Sequence, residues 1–76
     1  MKIYYRVPKF NKSSLFTTQA ATLDPQTCAM DYFLKRGGGE RRWPIELELS
    51  ESHDGPWKRF DVSLVTYPKF NIAEAV

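Results

Sequence analysis

Polar and apolar side chains alternate from Lys2 to Val7, with Lys2, Tyr4 and Arg6 on one side and Ile3, Tyr5 and Val7 on the other. A period of two built from aromatic and β-branched residues is a strand pattern. Pro8, which has no N–H for a ladder, ends it. Lys9 to Ser14 is a polar turn. From Leu15 to Thr22 a threonine-rich stretch alternates again, with Phe16, Thr18 and Ala20 on one side, and predicts a second strand that closes an N-terminal hairpin.

The period changes at Leu23-Asp24-Pro25. Asp24 is an N-cap residue, Pro25 suits the first helical position because its φ is already set, and Leu23 is placed to staple onto the first turn. Cys28, Ala29, Tyr32 and Phe33 recur at helical spacing as one apolar face. Lys35 and Arg36 fall in the last turn, where cations suit the helix dipole, and Gly37 terminates. The spacing predicts a helix over 25–36.

Alternation returns after the glycines: Ile45, Leu47 and Leu49 against Glu46, Glu48 and Ser50, a strand with one dry and one wet face. Ser52-His53-Asp54-Gly55-Pro56 is a turn centred on Asp-Gly. Phe60, Val62 and Leu64 alternate with Asp61, Ser63 and Val65 in a return strand, which Tyr67-Pro68 stops. The remainder, Phe70 to Val76, is read as a short edge strand or a packed tail. The expected fold is α+β: a four-stranded antiparallel sheet with one helix packed on one face, in the order ββαββ. All of 1–76 forms a single small domain.

Composition sharpens this only in part. Eleven basic and nine acidic residues leave a net charge of +2, too balanced for the basic stripe of a dedicated nucleic-acid binder. The single cysteine, Cys28, rules out an internal disulfide and favours a reducing compartment. The N-terminal stretch has no long apolar run or cleavage-site pattern, so the expectation is a cytoplasmic protein without signal peptide or membrane span. An echo, Pro8-Lys9-Phe10-Asn11 and Pro68-Lys69-Phe70-Asn71, follows a strand each time, and its structural reading is a phenylalanine tucked under each strand exit.

Each candidate for chemistry meets a physical objection. The triple glycine follows the helix, where carbonyls project and the dipole is negative, whereas phosphate cradles precede one. Cys28 shares the apolar face with Ala29, Tyr32 and Phe33, which implies burial. His53 sits in a turn without further ligands or a positioned partner. Glu46, Glu48 and Asp61 lie on a wet sheet face, where cross-strand cations such as Lys2 and Arg6 are their natural partners. No enzyme, metal or cofactor is therefore expected.

What remains is a basic collar around the glycines, Lys35, Arg36, Arg41 and Arg42, with the aromatic residues Trp43 and Trp57 as anchors beside it. The expected function is a small non-catalytic binding module for a protein or nucleoprotein partner. Size and architecture alone make it comparable to the inhibitors that phages and mobile elements use. The alternative is direct nucleic-acid binding through the collar and exposed aromatics, Tyr4 and Trp57 stacking on bases. Homodimerisation through the C-terminal edge strand is a further expectation.

Overall fold

A computed structural model describes residues 1–10 and 14–75. The first hairpin forms as the alternation predicts: β1 (Lys2–Arg6) pairs antiparallel with β2 (Phe16–Gln19), with Tyr5 opposite Phe16 and Lys2 opposite Gln19. β2 is shorter than the Leu15 to Thr22 stretch. Asn11, Lys12 and Ser13 of the polar turn ahead of it lie outside the described residues.

Helix α1 (Pro25–Lys35) follows, capped as its sequence dictates. Asp24 Oδ1 accepts from the Gln26 N–H at 3.0 Å and Oδ2 from the Thr27 hydroxyl at 2.8 Å. The helix stops where Gly37 takes a left-handed φ of 80°, which glycine adopts without a Cβ penalty. A short 3₁₀ turn, Gly38–Glu40, then leads towards β3 (Ile45–Ser50).

The C-terminal part departs from the expected fold. The sheet has five strands, because β4 (Lys58–Thr66) continues through Tyr67-Pro68 into β5 (Lys69–Glu74). The element order is therefore ββαβββ, not ββαββ. Tyr67 and Pro68 occupy the centre of a hairpin turn, with Thr66 opposite Lys69. A proline costs a strand its ladder hydrogen bond, but at a turn centre that N–H is not needed, so the same residue both stops β4 and allows β5. All pairings are antiparallel and the strand order is β2-β1-β3-β4-β5. β2 and β5 are thus the two edges.

The dry faces converge under α1. Ile3, Tyr5, Val7, Ile45, Leu47, Leu49, Phe60, Val62 and Phe70 from the sheet meet Cys28, Ala29 and Tyr32 from the helix. Phe10 packs against this core and Phe70 belongs to it, so both echoed phenylalanines turn inward. Their settings differ, since Phe10 lies in a turn and Phe70 in a strand, and Asn11 lies outside the described residues.

Among the described residues one charged side chain, Asp31, is buried in the core. The Tyr5 hydroxyl donates to Asp31 Oδ2, and Arg36 Nε approaches the same oxygen at 3.4 Å. Asp31 follows Cys28 by three positions and precedes Tyr32, which puts it on the buried stripe of α1.

Candidate functional site

The four collar cations divide into two kinds. Arg36 and Arg41 are held against the protein. Arg36 pairs with Asp31, lies 5.1 Å from the Phe16 ring centroid and donates through Nη2 to the Thr17 carbonyl at 3.4 Å. The Arg41 guanidinium lies 5.5 Å from the Phe10 ring centroid and hydrogen-bonds the Tyr32 side chain. Burial raises the Tyr32 phenol pKa, and the hydrogen bond and charge of Arg41 pull it partly back. Lys35, by contrast, has a side chain 71% exposed at 4.0 Å from Asp31, and Arg42 is exposed. A solvated pair at that distance is weak, which leaves Lys35 available to another anion.

Trp43 and Trp57 lie far apart. Trp43 precedes β3, while Trp57 stands beside its end, where Leu49 pairs with Lys58. The intervening strand is about 20 Å long. Trp43 belongs to the collar, half-buried in a ring cluster with Tyr32, Phe33 and Phe70. Its Nε1 donates to the Gly38 carbonyl at 2.9 Å, fixing the 3₁₀ turn beneath the arginines. Phe33 extends the cluster by stacking on Tyr67 at 4.6 Å between centroids.

Trp57 is engaged elsewhere. The Arg6 guanidinium lies 3.9 Å from its ring centroid, and Arg6 Nε also donates to Glu48 Oε1 at 2.6 Å. Glu48 faces Arg59 across the β3–β4 pair, and Arg59 Nε lies 3.8 Å from Glu46. The wet face thus carries an Arg6–Glu48–Arg59–Glu46 ladder of opposite charges. Trp57 also borders a depression of about 450 Å³ lined by Leu23, Ser50, Glu51, Ser52, Gly55, Pro56 and Lys58.

Cys28 lies in the core and His53 in an exposed turn, as their places in the sequence predict. Cys28 is fully buried, and burial, with Asp24 and Asp31 adding to it, pushes its thiol up to about 12. A thiol this reluctant to ionise is no nucleophile at neutral pH. The His53 side chain is 66% exposed and meets Asp54, at 3.5 Å, and the Tyr4 ring. Among the described residues no group of His, Cys, Asp and Glu is placed to hold a metal ion, and no helix is long and apolar enough to cross a membrane.

One surface residue escapes the sequence reading. Leu34 is 59% exposed, the most exposed large apolar side chain in the described chain. It borders a groove of about 290 Å³ with Met30, Thr27, Asp31, Lys35 and Thr18 of β2. The signal was present: Leu34 falls one position beyond the buried stripe ending at Tyr32 and Phe33, directly before Lys35. Comparisons with protein families, curated proteins and solved structures find no match to this chain.

Proposed function

We propose that this chain is a small non-catalytic binding module whose partner is a protein with an acidic surface, docked on the helix C-terminal end and collar. The observation that carries this reading is Leu34, 59% exposed directly before the exposed cation Lys35. An apolar side chain beside a loosely held cation is suited to a partner contact in which burial supplies affinity and charge supplies orientation. Arg36 and Arg41 brace the site from behind, and Arg42 adds a second exposed cation. Trp43 supports the turn. Trp57, about a strand's length away, belongs to a separate surface.

Direct nucleic-acid binding remains the alternative reading. The ladder on the wet face weighs against it, because Glu48 and Glu46 engage Arg6 and Arg59, the cations that phosphates would need. A second copy of the chain is a further partner, through the β5 edge.

The test is an affinity pull-down from native lysate with the wild type and with Lys35→Glu combined with Arg42→Glu. Loss of the captured proteins in the double variant is expected. Recovery of the same partners would overturn the site. Binding of a labelled single-stranded oligonucleotide at low salt that weakens steeply as salt rises would move the assignment to nucleic acid.

A further inference from the structure

The edge strand β2 and the groove beside it belong to one surface. In an antiparallel pair, residues alternate between those bonded to the neighbour and those whose N–H and C=O point away. Met1 and Ala20 exchange both bonds, the amino group donating to the Ala20 carbonyl at 2.7 Å and the Ala20 N–H to the Met1 carbonyl at 3.1 Å. The register then makes Ile3 with Thr18, and Tyr5 with Phe16, the other bonded pairs. Thr17 and Gln19 therefore turn their backbone groups outward. The Arg36 guanidinium, which takes the Thr17 carbonyl at 3.4 Å, reaches that outer side.

A strand added there would lie next to β2 under the flank of α1. Its helix-facing side chains would enter the groove bordered by Thr18, Thr27, Met30 and Leu34, with Lys35 at the C-terminal end of the helix. Edge, apolar wall and cation are the three parts of strand-addition recognition: main-chain bonds give affinity, and alternate side-chain sites give specificity.

We infer that β2 and α1 together form a docking groove for an extended segment of a partner protein, carrying an apolar residue and, two positions away, an acidic one on its helix-facing side. This rests on the reading of the chain as a protein-binding module and names how that partner is held. The acidic requirement follows from Lys35, the exposed cation that borders the groove. Asp31 does not oppose it, because its carboxylate is buried and already engaged by Tyr5 and Arg36.

The probe is a capped, labelled octapeptide of threonine alternating with leucine, glutamate, leucine and glutamate, titrated by fluorescence anisotropy. A matched peptide with lysine for glutamate is the control. Saturable binding of the acidic peptide is expected, with the lysine peptide at least tenfold weaker. Gln19→Pro removes an outward N–H and no β1–β2 hydrogen bond, and Leu34→Glu alters an exposed side chain. Each is expected to weaken binding at least tenfold, with circular dichroism confirming that both variants stay folded.

Absence of saturable binding by the wild type, or Gln19→Pro binding as tightly as wild type, overturns the groove. The lysate pull-down separates this failure from that of the broader reading. Partners lost by Lys35→Glu with Arg42→Glu but kept by Gln19→Pro would leave a collar that binds protein without strand addition. A doubled mass that Gln19→Pro abolishes would assign the edge to a second copy and overturn the peptide assignment.

Discussion

Tyr5 brings a phenol to the buried carboxylate of Asp31, and it is there that single substitutions are most informative. Its hydroxyl donates to Asp31, and burial, reinforced by that hydrogen bond and by the Asp31 charge, drives its pKa well above the usual phenol range. Tyr5→Phe leaves Asp31 with Arg36 at 3.4 Å as its nearest remaining partner. A hydrogen bond to a charged group is worth about 1.5–3 kcal/mol, and a loss of that size in urea unfolding is expected. Cys28 gives a second readout. Burial pushes its folded thiol up to about 12 from an ordinary 9.0, so above about pH 9 the unfolded chain gives up its proton first. Stability from this group is fully present below that pH and is lost as pH rises towards the folded pKa. Two outcomes follow: Cys28 resists thiol reagents at pH 8 until the protein unfolds, and Cys28→Ala withstands higher pH than wild type in alkaline unfolding followed by circular dichroism.

Among the elements, α1 depends on its cap. Asp24→Ala removes the acceptor for both the Gln26 N–H and the Thr27 hydroxyl, and a cost of about 1 kcal/mol in thermal or urea unfolding is expected. The cap was readable from Asp24-Pro25 because capping chemistry is local. The outward faces of β1 and β3 were readable from the period-two alternation, which puts Arg6 and Glu48 on the wet side where they meet across the two strands. β5 was harder to see because Tyr67-Pro68 carries a stop signal and lacks the Asn-Gly or Asp-Gly of a typical hairpin. Asp31 was hidden by its chemistry: a carboxylate on an apolar stripe is placed only once its buried partner, Tyr5, is known to cross from β1. The collar was legible as composition alone. Which of its cations are held and which are free depends on rings at Phe10, Phe16 and Tyr32 that only the fold brings near. Gly38 shows the same limit, because a Cβ there would stand 2.7 Å from the Tyr32 carbonyl oxygen, a clash visible only in three dimensions.

For the whole molecule, the second edge has its own prediction. The Ala75 N–H donates to the Arg59 carbonyl at 2.9 Å, and the alternation that follows turns the backbone groups of Phe70, Ile72 and Glu74 outward. Two copies meeting antiparallel about Ile72 would place Phe70 against Glu74 of the second copy, with no like charges opposed. A concentration-dependent dimer is expected in light scattering, and Ile72→Pro, which removes an outward N–H, is expected to return the mass to that of a monomer. A single mass at every concentration for both proteins would exclude this pairing.

The separation of the collar from the β3–β4 turn also sets how the molecule behaves before it touches anything. At the collar end Lys9, Lys35, Arg36, Arg41 and Arg42 outnumber Asp31, Glu40 and Asp61, whereas in the turn at the other end Glu51 and Asp54 outnumber Lys58, and the wet-face pairs Arg6–Glu48 and Arg59–Glu46 cancel between them. This uneven distribution favours a collar-first approach to a negatively charged surface. At physiological salt the field fades over about 8 Å, so that alignment is confined to the last stage of approach and is stronger in dilute buffer.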